Sequence, residues 1–167
     1  MVASYKKHNN QLYNNLVQLS RNKFFYQEAR LEDKIETRLL LIFFHFALIL
    51  RLTKNKEKEK ETQDIFDNIF QNIEYSLREL GHGDIAVNKK MKNLTRVFYD
   101  ILVGLDKSSS ILLDNNYYFI KKYFFEDEKR GMVNIDKLAD YFSKFQNFCF
   151  DLDVKNMLNG SFNFIYR

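Results

Sequence analysis

Three histidines, one cysteine and a handful of charged residues set among apolar ones are the residues of this sequence whose types could do chemistry. His8, His45 and His82 lie far apart, and no two have the i, i+4 spacing that puts a pair of imidazoles on one helix face for zinc. Neither a metal site nor a cofactor site is expected. Cys149 sits among Phe145, Phe148 and Phe150 with no basic neighbour to lower its pKa, so it reads as a small packing residue rather than a nucleophile. A lone cysteine also rules out a disulfide within the chain and makes a reducing compartment the easiest reading. The segment Gly81-His82-Gly83-Asp84 invites comparison with a phosphate-cradling loop. It lacks the further glycine and the Lys-Ser/Thr pair of such loops, and a helix-to-helix turn using glycine for positive φ is the stronger reading.

Polar residues on apolar segments are more informative. Arg38 and His45 are seven apart, two helical turns, so they share a face of the most apolar stretch in the chain, and a charge there needs a partner. Either His45 is a core histidine with its ring nitrogens satisfied and Arg38 an edge residue, or the two contact a ligand. An enzyme centred on them would need a pocket and a third polar partner. Arg78 and Glu79, just before Gly81, either pin a turn or face a partner. Lys89, Lys90, Lys92 and Arg96, with Met91 among them, fall on what reads as the first turns of a helix, where the dipole prefers anions. That placement raises the prospect of an anionic surface opposite them, against the default of a solvated face. No aromatic residue is interleaved to stack on bases, so sequence-specific nucleic-acid reading is not expected.

The elements that position these residues follow from spacing. The 167 residues contain no proline and five glycines, with 46% apolar and 29% charged side chains, which fits one ordinary globular domain. Leu12, Leu16 and Leu19 mark a first helix. Residues 34 to 53 form a second, whose run LLLIFFHFALIL (39 to 50) is too short for a membrane span and reads as a helix buried on nearly all sides. The charge run 54 to 61 reads as a solvated connector or helix start. Ile65, Phe66, Ile69, Phe70, Ile73, Leu77 and Leu80 make the cleanest stripe, closed by Gly81. Another stripe, from Val87 or Asn88, carries Met91, Leu94, Phe98, Ile101, Leu102 and Leu105. Asp114 and Asn134 can cap two more helices, the latter with Ile135, Leu138, Phe142, Phe145, Phe148 and Leu152. The tail from Gly160 alternates and reads as irregular or extended. The expected fold is all-α, a single compact domain of six to seven helices over residues 1 to 167.

The net charge of +4 is unevenly spread. Residues 1 to 53 carry 8 basic and 4 acidic side chains, 54 to 84 carry 5 and 8, 85 to 105 carry 4 and 1, and 106 to 167 carry 9 of each. The N-terminus shows neither the apolar region of a signal peptide nor an Arg-rich presequence, so a cytoplasmic protein is expected. The surplus of Phe and Tyr, 17 and 10 residues, would either cover a protein-binding groove or fill a core low in alanine.

From Leu77 to Lys92, LRELGHGDIAVNKKMK, and on to Phe98-Tyr99, the chain resembles the ubiquinol-cytochrome c chaperone family. Bacterial-type members have Leu-Arg-Glu-Met-Gly-x-Gly-Asp, then Val, Lys and Met-Lys, then Phe-Tyr-Gly. Asp33, Arg38 and the apolar helix with His45 resemble the start of the same domain, and residues 64 to 72 its next helix. The resemblance runs over about 12 to 125 and weakens over 132 to 167. It implies an assembly factor rather than an enzyme. Such a protein holds newly synthesised cytochrome b, nascent or newly inserted, until complex III is built. It would sit near the ribosome surface and an anionic membrane surface, with a small partner subunit among its expected contacts. The location would be the cytoplasmic face of the inner membrane, or the matrix side in a eukaryote. The expected partner-binding positions are Arg38, His45, Arg78, Glu79, Gly81, Gly83, Asp84, Lys89, Lys90, Met91, Lys92, Arg96, Phe98 and Tyr99; Lys90 and Arg96 come from the basic helix start, and the others match the family pattern. Asp100 departs from the family's glycine, and Ile101 stands where an arginine often follows. The alternative is a peripheral ribosome- or membrane-surface binder without catalytic activity.

Overall fold

The computed structural model describes residues 10–54, 59–106, 120–125 and 133–167. Seven helices are present among them: α1 Gln11–Ser20, α2 Lys23–Gln27, α3 Ile35–Thr53, α4 Glu59–Glu79, α5 Asp84–Asp106, α6 Ile135–Phe150 and α7 Val154–Asn159. A short helical stretch at 120–124 joins them, and no strand occurs among the described residues. The all-α expectation holds. Asp114, expected to cap a helix, lies outside the described residues, as does most of the charge run after Lys54.

The organising element is α3. Every residue from Leu41 to Leu50 is buried, as a helix apolar all round requires. It packs against α1, α5, α6 and α7, while α4 covers α5 and α1 meets α7. Leu12, Leu16 and Leu19 of α1 face inward. Asn10 caps that helix by accepting the Tyr13 N–H at 2.8 Å, and Asn134 caps α6 through the Lys137 N–H at 3.1 Å.

Two aromatic clusters flank α3. On one side Phe43 and Phe46 meet Phe98 of α5 with centroids 5.4 and 5.3 Å apart, and Phe66 and Phe70 of α4 close the group. On the other, Phe25, His45, Tyr141, Phe142 and Phe145 interlock, mostly edge to face. The surplus of aromatic residues is spent largely in this core.

The tail is extended, and its alternation has a cause. Phe162, Phe164 and Tyr166 turn inward onto α6 and α2, with Phe164 5.2 Å from Phe145 and Tyr166 4.4 Å from Phe24. Ser161, Asn163, Ile165 and Arg167 face out. The Asn15 side-chain amide donates to the carbonyls of Gly160 (3.2 Å) and Phe162 (2.7 Å), replacing ladder hydrogen bonds the segment would otherwise lack. At Gly160 φ is +77°, and a Cβ would stand 2.6 Å from the Leu12 Cα, so only glycine lets α1 cross the end of α7.

Candidate functional site

His45 is fully buried and fully paired. Its Nδ1 lies 2.6 Å from the Leu41 carbonyl, which can only accept, so the proton is on Nδ1 and Nε2 accepts the Tyr141 hydroxyl at 2.9 Å. Burial disfavours the charged ring and lowers its pKa to about 4, outweighing the opposing pull of the Leu41 carbonyl. Burial likewise pushes Tyr141 well above the ordinary tyrosine range, so both groups are neutral at pH 7. Arg38 is engaged elsewhere: its Nε and Nη2 donate to both Asp33 oxygens at 2.8 and 3.0 Å, a fork that closes the loop before α3. The two residues share a helix face but no pocket. The enzyme reading centred on them loses the open site it required. Cys149 is buried too, its thiol pushed up to about 12 by burial.

The family-like motif around Gly81 builds a rigid α4–α5 corner. The Gly81 N–H reaches the Arg78 carbonyl at 2.9 Å and the His82 N–H reaches that of Leu77 at 3.4 Å, the paired bonds of a Schellman turn. Gly81 supplies the φ of +89° that this turn demands. Arg78 donates to Glu74 at 2.8 Å and also binds Asp84 across the corner, so α4 and α5 are tied by one guanidinium. The Gly83 carbonyl accepts the Val87 N–H at 2.9 Å, so α5 begins at Asp84 rather than near Val87.

That earlier start corrects an expectation. Asp84 occupies the first turn, where an anion is favoured, and Lys89, Lys90 and Lys92 fall one or two turns further on. The dipole effect fades within the first turn, so the cations no longer oppose it, and their placement has to be judged by exposure.

Exposure divides them by helix face. Phe98 is fully buried and Lys90 and Met91 are half-buried, Met91 against the core. Lys89, Lys92, Arg96 and Tyr99 point outward, and they share their stripe with Ile85 and Val103 at steps of three and four. Glu79, Gly81, Gly83 and Asp84 are exposed at the corner, while Arg78 is half-buried beneath it.

A groove of about 590 Å³ runs between the start of α3, the middle of α5 and the 120–124 stretch. Leu39, Leu40, Phe43, Leu94 and Val97 form its apolar floor, and Glu36, Asn93, Arg96, Asp100 and Lys122 its polar rim. Asp100, the departure from the family pattern, receives Lys122 Nζ at 2.6 Å and the Tyr123 hydroxyl, fastening the stretch to α5. Its neighbour Ile101 is fully buried. Of the groove residues, only Arg96 is among the partner-binding positions expected from sequence. Leu39 and Leu40 lie in the run that looked like pure core, and their partial exposure is a tertiary fact.

No group of histidine, cysteine and carboxylate side chains able to hold a metal occurs among the described residues, and no helix among them is long and apolar enough to cross a membrane. Comparison with curated proteins finds no match. Among solved structures the chain is similar to the crystal structure of the Cbp3 homolog from Brucella abortus, with a TM-score of 0.68 and 21% identity, covering 93% of this chain and 87% of that one. At this identity the likeness is one of fold. Residues 27–164 match the model of the family described as ubiquinol-cytochrome C chaperone, reaching past residue 125 into α6, α7 and the tail. The chain belongs to the ubiquinol-cytochrome c chaperone family.

Proposed function

We propose that the protein binds newly synthesised cytochrome b during biogenesis of complex III and releases it to the assembling enzyme. The observation that carries this reading is the family match over residues 27–164. Family membership is consistent with complex III assembly; the identity of the client is our reading.

The geometry supports a binding role. The groove offers Leu39, Leu40, Phe43, Leu94 and Val97 to an apolar segment, and its rim of mixed charge can meet the polar flanks of a transmembrane segment not yet in its final surroundings. The Gly81 corner and the Asp33–Arg38 pair hold the walls in register. Haem contact and a small partner subunit form no part of the reading. A second role, attachment to the ribosome or membrane surface, is favoured by the cations facing outward from α5.

Deleting the gene tests the function in the cell. Assembled complex III and its b-type haem absorbance should fall while the other respiratory complexes persist. Unchanged complex III would remove the proposal.

A further inference from the structure

The outward stripe of α5 is unlike an ordinary solvated helix face. Ile85, Lys89, Lys92, Arg96, Tyr99 and Val103 follow one another at steps of four, three, four, three and four, so all six lie within a narrow sector of one face. Ile85 is 87% exposed, Val103 49% and Tyr99 45%, and the three cations between the two aliphatic ends are exposed as well. Ion pairs are formed elsewhere on the surface, at Arg38, Arg78, Lys122, Lys137 and Lys144. Lys89 and Lys92 have no carboxylate partner among the described residues, and Arg96 is bonded only to the Asn93 side chain, at 2.7 Å. Two acidic groups on α5 are occupied: Asp84 with Arg78, and Asp100 with Lys122 and Tyr123. Leu80, 55% exposed at the α4–α5 corner, adds a further apolar side chain near the Ile85 end.

We infer that this face of α5 docks the protein on an anionic lipid bilayer, with the helix lying along the surface. Lys89, Lys92 and Arg96 bind headgroup phosphates, while Ile85 and Val103, roughly 27 Å apart along the axis, enter the boundary between headgroups and acyl chains. The long stems of the lysines let their charged ends stay at phosphate level while the aliphatic side chains go deeper. The same mixture argues against RNA. Phosphate would satisfy the three cations, but Ile85 and Val103 would gain nothing from a nucleic-acid backbone, and only Tyr99 could stack on a base. The attachment inferred here is peripheral, through side chains of one helix face. The inference rests on the attachment role proposed above and not on the identity of the client, and of the six residues only Arg96 also reaches the rim of the groove.

Cosedimentation of the full chain with phosphatidylcholine vesicles, with and without phosphatidylglycerol, tests the inference. The protein should pellet with the anionic vesicles at low salt, release as salt rises, and stay in the supernatant with neutral ones. Combining Lys89→Gln and Lys92→Gln should weaken vesicle binding roughly thirtyfold, at the usual contribution of a cation near an anionic membrane. Lys92→Gln alone should weaken it about fivefold, which keeps the test decisive if the double variant folds poorly. Ile85→Gln with Val103→Gln should cost about tenfold at unchanged charge. Failure of the wild-type chain to pellet with anionic vesicles overturns the inference, as does unchanged binding in the cation variants. Loss of homopolymer RNA binding in the cation variants, with the aliphatic pair indifferent in both assays, assigns the face to nucleic acid instead. Because Ile85, Lys89, Lys92 and Val103 do not line the groove, these variants should still capture the client, so failure here is distinguishable from failure of the proposed function.

Discussion

Tyr141→Phe is a test of how the core is held together, because it removes one oxygen and leaves the ring in place. The lost hydroxyl is the donor to His45 Nε2, and His45 is 0% exposed, so a neutral acceptor is stranded where water cannot reach it. Leaving a buried polar group unsatisfied costs about 1–3 kcal/mol, and that is the expected loss at pH 7. His45→Leu should cost a similar amount, since it strands the Tyr141 hydroxyl instead. The two together should cost less than the sum by about 1 kcal/mol or more, because the second change removes the orphan created by the first.

The pH dependence is a second readout of the same pair. His45 titrates at about 4 in the folded chain against 6.5 in the unfolded one, so the unfolded state takes up the proton first as pH falls. The stabilisation is complete above pH 6.5 and is lost progressively down to about pH 4, and linkage makes it roughly 2 kcal/mol between pH 7 and pH 5. Asp140, held low chiefly by the Tyr166 hydroxyl and also by Lys144, has its effect below this window. Urea unfolding followed by circular dichroism at pH 7 and pH 5 measures both quantities. Additive single substitutions, or a His45→Leu variant with the same loss of stability between the two pH values as wild type, would refute the pairing.

Two further predictions need only the purified protein. Gly81 and Gly160 both have positive φ, but a Cβ at Gly81 meets nothing within 4 Å whereas one at Gly160 stands 2.6 Å from α1 backbone. Gly81→Ala should therefore cost about 1 kcal/mol, and Gly160→Ala about 2–4 kcal/mol by urea unfolding; equal costs would contradict the close crossing. Cys149, buried with its thiol pushed up to about 12, should resist a thiol reagent at pH 8 until denaturant is added, and rapid labelling of the native protein would contradict its placement.

Helical spacing made α1, α4 and α6 legible in the sequence, because each repeats its apolar step over two turns or more, and α3 was legible from its unbroken apolar run. The short helices α2 and α7 were not. Five or six residues give too few repeats to show a period, and their visible signals were the caps, Asn22 accepting the Phe24 N–H and Asp153 the Asn156 N–H. The start of α5 was misplaced because Ile85 points outward and breaks the apolar stripe that marks a helix. The extended tail was legible from its alternation, although the rings that receive it come from α2 and α6.

The motif around Gly81 was visible as a turn, but its use of Arg78 to hold Asp84 depends on how two helices meet. His45 could be recognised as a polar group needing partners. Tyr141, which supplies one, lies 96 positions away. The groove was invisible for the same reason: its walls come from α3, α5 and the 120–124 stretch, and no local pattern distinguishes a wall from the core.

The central claim, that this chaperone holds newly made cytochrome b, is tested most directly by capture. The tagged full-length protein is recovered from cells after a short pulse of labelled amino acid, and the labelled polypeptides that come with it are identified. Cytochrome b should be the dominant labelled species and should fall away during a chase as complex III assembles. Capture in which cytochrome b is absent, or in which it persists unchanged through the chase, would contradict the account.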